Sequence, residues 1–237
     1  MVEHVSTLLY RWPAKAKFGR TIPKTKFYER ATIGAAVKDA FVSDVRRITW
    51  AYKLAEATIN LPESPEVPEI QVFEIDAKAD DVAESVFAAI DKAVRTPIIF
   101  ENRRGEGAQK EIQMVAAHKQ LGNGVPKMGP YFRTEWHPAE TERVAMPTAI
   151  SLAGLYTALL EPLAPVASYA GEKVSDVVSR LTTIRRLERE ITVLERKIRN
   201  EPQLNRKVEL RRKVRAKQAD LSELTGSIAS PPEENAN

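Results

Sequence analysis

Three ionisable residues alternate along one short segment, "EIQVFEIDAK", residues 69–78. If this segment is a β-strand, Glu74, Asp76 and Lys78 share one of its faces, because successive side chains of a strand point to opposite sides. Carboxylates beside a lysine are what a magnesium-dependent nuclease needs, to hold the metal and to steady the attacking water. These three residues are therefore candidate catalytic residues, and Mg²⁺ would be their cofactor.

The spacing of Asp76, Ala77 and Lys78 matches the Asp/Glu-x-Lys half of the restriction-endonuclease core. The other half of that core, an acidic residue on a neighbouring strand just upstream, has no convincing candidate in the sequence. The polar face of any amphipathic strand gives the same alternation without catalysis. A nuclease is therefore an alternative to a protein that has no active site.

Other catalytic and cofactor motifs are missing from the sequence. It contains neither a Walker sequence nor a Gly-x-Gly-x-x-Gly run, which disfavours an NTPase or a dinucleotide enzyme. There is no cysteine, and His4, His118 and His137 are far apart without the spacing of metal ligands. Outside the nuclease alternative, the sequence predicts no cofactor.

The positive charge of the chain is concentrated near its carboxyl end. The net charge is only +4, but residues 185–217 contain 13 Lys and Arg against 5 Asp and Glu. Such a run can contact phosphates, dock a partner protein, or form the solvated face of a helix. No aromatic residue lies in it, so contact with a nucleic-acid backbone is a better hypothesis than base stacking. The candidate nucleic-acid-binding residues are Arg196, Lys197, Arg199, Arg206, Lys207, Arg211, Arg212 and Lys213.

Apolar residues three or four positions apart predict that this run belongs to two packed helices. One seam comprises Leu181, Ile184, Leu187, Ile191, Leu194 and Ile198, and the other comprises Leu210, Val214, Leu221, Leu224 and Ile228. Pro202 separates them, and the residue before a proline resists helical geometry. In antiparallel packing, the position numbers of facing residues add to a constant, as they would for Leu194 and Leu210. Leu187 would then face Lys217 or Gln218. We predict a helical hairpin over 172–228 that turns near Pro202; a kinked continuous coiled coil and a homodimer through the same seam remain alternatives.

The preceding part of the chain reads as a mixture of strands and helices. Helical spacing or capping predicts helices over 33–42, capped by Thr32, over 80–94, and in "TAISLAGLYTALL". Strand patterns occur in "RRITWAYKL", "EIQVFEIDAK", "PIIFEN", "KEIQMVAAHK" and "YFRTEW", with a short one suggested in "TIPKTKFY". We predict an α+β fold with a mainly antiparallel sheet and packed helices, followed by a coiled-coil-like C-terminal antiparallel helical hairpin.

The composition of the chain suggests its domain boundaries and its cellular compartment. We expect an α+β domain over 1–147, a helical region over 148–229 and a disordered, polar tail over 230–237. No apolar window is long enough to span a bilayer, and the amino terminus does not resemble a signal peptide. Without cysteine, a cytoplasmic location is the default expectation, with no membrane partner.

Six segments in a fixed order carry a resemblance to a known family: "FYERA", "ITWAYKLAEATIN", "EIQVFEI", "PIIFE", "YFRTEW" and "QLNRKVEL". Over residues 18–224 the chain resembles a bacterial and archaeal family of about this length, catalogued only as a domain of unknown function. It departs from the family pattern at Leu204, where an aromatic residue is usual, and at Arg211, where asparagine is usual. The resemblance implies genes near helicases and DNA methyltransferases in defence-type clusters, and no established activity.

We therefore expect a non-catalytic accessory protein in DNA handling. Its basic hairpin would contact the DNA or RNA backbone or a larger partner enzyme such as a helicase or methyltransferase. The nuclease built on Glu74, Asp76 and Lys78 is one alternative. A purely structural coiled-coil module that docks proteins is the other.

Overall fold

The computed structural model describes residues 9–30, 33–122, 126–163 and 174–225. They belong to two compact units, Met1–Ala167 and Ser168–Asn237. The strands of the first unit are β1 (Tyr10–Arg11), β2 (Lys17–Thr21), β3 (Val45–Leu54), β4 (Ile70–Ala77), β5 (Ile98–Arg104), β6 (Glu111–Gln120), β7 (Lys127–Arg133), β8 (His137–Pro138) and β9 (Val144–Ala145). Its helices are α1 (Thr25–Arg30), α2 (Ala35–Asp44), α3 (Glu56–Ile59), α4 (Glu84–Ala93) and α5 (Leu152–Leu160).

A seven-stranded sheet forms the centre of the first unit. Its strand order is β2-β3-β4-β5-β6-β7, and β8 pairs with β6 beyond this path. All neighbours are antiparallel except β4 and β5, which are parallel because α4 crosses over between them. The predicted α+β fold with a mainly antiparallel sheet is confirmed. The short strands β1 and β9 form a separate parallel pair.

Helices cover both faces of the sheet. On one face, buried residues of α4, including Phe87 and Ile90, join Phe73 and Phe100 of the central strands in a continuous apolar core. On the other face, His118 of β6 stacks on Tyr156 of α5 with ring centroids 6.0 Å apart. Burial on both faces explains why the central strands contain continuous apolar runs rather than strict alternation.

Buried Lys119 fastens the end of α4 to the sheet. Its ammonium lies 2.8 Å from the Asp91 carboxylate and donates to the backbone carbonyls of Asp91, Val94 and Thr96 at 2.8–2.9 Å. Tyr131 donates to the other oxygen of the Asp91 carboxylate at 2.5 Å. Burial lowers the pKa of Lys119 and raises that of Asp91, while the charge of each residue opposes the shift of the other.

Several predicted elements begin or end elsewhere. Thr32 lies outside the described residues, and α2 instead starts after Gly34, whose backbone is extended. The suggested strand in "TIPKTKFY" is wrong after Thr21, because Pro23 ends the strand and Thr25 starts α1. The strand predicted in "YFRTEW" both begins and ends earlier in the chain, since β7 runs from Lys127 to Arg133 as an edge strand that tolerates Pro130.

The domain boundaries of the structure also differ from the sequence prediction. The helical region predicted to start at 148 includes α5, but α5 belongs to the first unit. Tyr156 accepts a hydrogen bond from the Lys119 amide and donates one to the Ala117 carbonyl, which ties α5 to β6. The predicted tail over 230–237 lies outside the described residues.

The described residues of the second unit form two helices, α6 (Val174–Asn200) and α7 (Leu204–Thr225). They are separated by residues 201–203, so the break falls at Pro202 as predicted. None of the helices in the described ranges combines the length and the hydropathy that crossing a bilayer requires.

Candidate functional site

The helices of the second unit form the predicted antiparallel hairpin. Arg180 donates to the backbone carbonyl of Leu224 at 3.2 Å, and Lys217 forms an ion pair with Glu190. The side chain of Leu181 and the whole of Ile228, both predicted for the seam, lie outside the described part of the chain. The seam buries Ile184, Leu187, Ile191 and Val214. The basic residues of 185–217 therefore belong to a helical hairpin whose two helices pack through an apolar seam.

The polar interruption predicted within the seam is accommodated without exposing Leu187, which is buried. Lys217 directs its ammonium to Glu190, one turn along α6 from Leu187, while its side chain remains only 30% exposed. The hydrogen bond from Lys217 lowers the pKa of Glu190. Two other carboxylates of α6, those of Glu188 and Glu195, form no ion pair with any described residue. The charged ammonium of Lys217 therefore lies outside the seam, while the aliphatic part of its side chain packs within the seam.

The cations near the turn lie on two flanks of the hairpin, one on each side of the seam. The first flank is a shallow cavity of about 580 Å³ whose basic residues are Arg196, Lys197, Arg206 and Lys213. The second flank is a cavity of about 350 Å³ whose basic residues are Arg199, Arg211 and Arg215. Glu201 and Glu209 accompany the first flank, and Glu195 accompanies the second. Each flank therefore has a net charge of +2.

The eight predicted binding residues are not neutralised by their surroundings. Seven are exposed, and Lys207 is half-buried beside the turn. Within the described ranges, none of the eight forms an ion pair with a carboxylate; Glu190 pairs instead with Arg186 and Lys217. Lys207 and Arg212 belong to neither flank. The tip of the hairpin thus presents uncompensated positive charge on both of its sides.

The candidate catalytic residues on β4 are held by arginines. Glu74 Oε1 lies 2.6 Å from Arg103 Nη2, and Asp76 Oδ2 lies 2.7 Å from Arg47 Nη2. Lys78 follows the end of the strand and donates to the backbone carbonyl of Val42. The structure therefore brings Glu74 and Asp76 to one face of β4, and Lys78 forms its hydrogen bond with α2 instead.

The register of β4 with its two neighbouring strands determines which side chains surround Asp76. Its partner on β3 is Arg47, and its partner on β5 is Arg103. A nuclease would need a second carboxylate on a neighbouring strand, but both of these neighbouring positions carry arginine. The described residues contain no group of three or more His, Cys, Asp or Glu that could hold a metal ion. The surroundings of Asp76 are therefore basic, which favours an anion over Mg²⁺.

A cleft of about 560 Å³ lies beside Asp76 at the ends of β3, β4 and β5. We call it the arginine cleft. Its charged residues are Arg46, Arg47, Asp76, Arg103, Glu106 and Lys110. In an open mixed sheet, the carboxyl ends of parallel strands are a common location for ligands. The cleft occupies that position for the parallel pair β4 and β5.

Behind this cleft, Glu101 is a buried carboxylate that the sequence reasoning missed. It accepts hydrogen bonds from Trp12 Nε1 at 2.6 Å, from both terminal nitrogens of Arg143 at 2.6 and 2.9 Å, and from Arg103 at 2.9 Å. Burial alone would raise the pKa of Glu101, but Arg143 and Arg103 outweigh burial and hold it below its ordinary value. Arg143 also donates to the Tyr10 carbonyl, so the network ties β1 to the sheet.

The histidines do not come together as a site in the described residues. His118 stacks on Tyr156, and burial lowers its pKa; His137 is buried on β8. His4 lies outside the described residues.

Two arginine doublets carried the signal that the sequence reasoning overlooked. Arg46 and Arg47 start β3, and Arg103 and Arg104 end β5, so antiparallel and parallel pairing bring the doublets to the same end of the sheet. A charged residue inside the apolar run "PIIFEN" likewise marked Glu101. Neither signal identifies its partners until the strand order is known.

The fold and the hairpin define an α+β protein with a basic C-terminal helical hairpin. A family model for a "Domain of unknown function (DUF4391)" matches residues 11–221. The chain therefore belongs to the DUF4391 family. No curated protein and no solved structure matches it.

Proposed function

We propose that this protein is a non-catalytic accessory protein whose hairpin tip contacts the phosphate backbone of nucleic acid. The observation that carries the proposal is the set of eight cations around the turn, seven of them exposed and none in an ion pair with a described residue. Lysine and arginine that neutralise phosphates release counterions, and this release drives sequence-independent binding. Cations in such numbers without carboxylate partners are available for that exchange.

Two basic flanks favour a duplex over a single strand. Antiparallel helices present the first and second flanks on opposite sides of the seam, so each flank can face a different phosphate backbone. The major groove of DNA is about 12 Å wide, close to the diameter of one helix with its side chains. A hairpin inserted edge-on between two backbones would use both flanks at once.

The proposed setting is cytoplasmic DNA handling with a larger enzyme, such as a helicase or a methyltransferase. This part rests on the implied gene neighbourhoods and on the absence of cysteine. A docking surface for a protein is the competing role for the same hairpin. Binding of nucleic acid by the isolated protein distinguishes the two roles.

The test compares two variants that remove equal charge from the same hairpin. Arg206→Ala with Arg211→Ala removes one cation from each flank at the tip. Arg186→Ala with Arg189→Ala removes two exposed cations that lie about 17–21 Å along α6 from the turn. In fluorescence anisotropy with labelled duplex DNA, we expect the tip variant to bind at least about tenfold more weakly than the control. Equal affinities would refute contact at the tip.

A further inference from the structure

The arginine cleft belongs to the first unit, and none of its lining residues belongs to the hairpin. Four cations line it, those of Arg46, Arg47, Arg103 and Lys110, against the carboxylates of Asp76 and Glu106. The charge of Arg103 is shared with Glu74 and Glu101, and Arg143 balances the second of these. The remaining lining residues leave a net charge of +1, so an anion is favoured there.

Two of the lining arginines form only weak ion pairs with their carboxylate partners. Arg46 pairs with Glu106 with side chains 52% and 74% exposed, and Arg47 pairs with Asp76 with side chains 59% and 17% exposed. Both guanidinium groups are more than half exposed, and ion pairs that are open to water in this way contribute little. A guanidinium also has five N–H donors, which fit phosphate in a bidentate manner, so both residues have donors to spare.

Two further groups in the lining have unused donors. Lys110 is half-buried and forms no side-chain hydrogen bond or ion pair with a described residue. Arg103 Nε is buried and has no hydrogen-bond partner among the described residues. Buried polar groups are nearly always paired in native proteins, so an acceptor supplied by a ligand would complete this site.

The turn from β5 to β6 forms one wall of the cleft with a fixed shape. Gly105 has φ +72°, and a Cβ there would lie 2.2 Å from the Gln109 carbonyl oxygen. No other residue could occupy this position without moving the turn. The wall that carries Glu106 and precedes Lys110 is therefore defined by the backbone.

We propose that the arginine cleft binds the phosphate group of a nucleotide-sized ligand. The volume of about 560 Å³ lies within the range of small-molecule sites, and the lining supplies guanidinium and ammonium donors. The phosphate can belong to a free nucleotide or to the end of a nucleic-acid strand, and the chemistry of recognition is the same. Arg46, Arg47 and Lys110 hold the phosphate, and Asp76 and Glu106 compete with it.

Calorimetric titrations of the full chain with inorganic phosphate, ATP and a 5′-phosphorylated dinucleotide test this site. Arg46→Gln with Lys110→Gln removes two lining cations without touching the Glu101 network; Lys15→Gln with Lys38→Gln removes two exposed cations elsewhere in the same unit. We expect the cleft variant to lose affinity roughly tenfold or more and the control to bind as the wild type does. A preference for ATP over the dinucleotide, or the reverse, identifies the source of the phosphate.

The sign of the effect of Asp76→Asn separates an anion site from a metal site. Removing a competing carboxylate should tighten the binding of the phosphate probe, whereas a Mg²⁺ site would lose its ligand. The proposal is overturned if no probe binds to the wild type at millimolar concentration, or if the cleft variant and the control bind equally. The Arg206→Ala, Arg211→Ala variant should retain ATP binding, so the hairpin and the cleft can fail independently.

Discussion

Replacing Lys119 by methionine would remove the group that fastens α4 to the sheet. The ammonium of Lys119 lies within 2.8–2.9 Å of four oxygen atoms, one from the Asp91 carboxylate and three from backbone carbonyls at the end of α4. Both side chains of the ion pair are buried, at 0% and 1% exposure. Lys119→Met would leave the carboxylate without its cation and the carbonyls without this donor.

The expected cost follows from the asymmetry of buried ion pairs. Removing one partner of such a pair costs about 3–5 kcal/mol, because the other charge stays buried without compensation. Adding Asp91→Asn removes that charge and keeps an oxygen that can accept from Tyr131, so the double variant should be more stable than Lys119→Met alone. Lys92→Met, an exposed change on the same helix, should shift the free energy of unfolding by no more than about 0.5 kcal/mol.

Urea unfolding followed by tryptophan fluorescence measures this effect in the first unit alone, since Trp12, Trp50 and Trp136 all belong to it. A loss below about 1 kcal/mol for Lys119→Met would refute a buried, uncompensated Asp91. Equal losses for Lys119→Met and Lys92→Met would refute it as well.

Two further predictions concern the Glu101 network and the hairpin seam. The pKa of Glu101 is lowered in the folded state, so its stabilising effect is present above its ordinary value of 4.5 and is lost as the pH falls through the folded-state value. Glu101→Gln should therefore lower the free energy of unfolding by about 1.5–3 kcal/mol at pH 7 and make this free energy less dependent on pH in the acidic range. An unchanged pH dependence would contradict this. In the hairpin, Leu187→Ala should destabilise the helices by about 2–5 kcal/mol, whereas Val193→Ala, at a residue that is 52% exposed, should have little effect. Thermal melts followed by far-UV circular dichroism measure the difference between the two variants. Equal melting temperatures would contradict the burial of Leu187 in the seam.

Local patterns were sufficient to predict the main elements. Runs of β-forming residues marked β3 and β4, helical spacing marked α4, and constant position sums marked the hairpin with its break at Pro202. These patterns reflect burial of one face or one stripe, a property of neighbouring residues. The same reasoning placed the cations on a hairpin rather than on a free tail.

Long-range pairing could not be predicted in the same way. The parallel contact of β4 with β5 depends on where α4 returns the chain, and the partners of Asp76 depend on register, which one residue of slip would change. Trp12 and Glu101 are 89 positions apart in the chain. Residue spacing alone suggested metal ligands at Asp76, and the arginines of two other strands changed that interpretation.

The salt dependence of duplex binding tests the central claim most directly. For wild type and for the variant with Arg206, Lys207, Arg211 and Arg212 changed to alanine, the logarithm of the binding constant is plotted against the logarithm of salt concentration. Each lost phosphate contact should reduce the magnitude of the slope by about 0.9, so four lost contacts would reduce it by about 3.6. We predict a clearly shallower slope and weaker binding for the variant. Identical slopes and affinities would contradict contact between the hairpin tip and the nucleic-acid backbone.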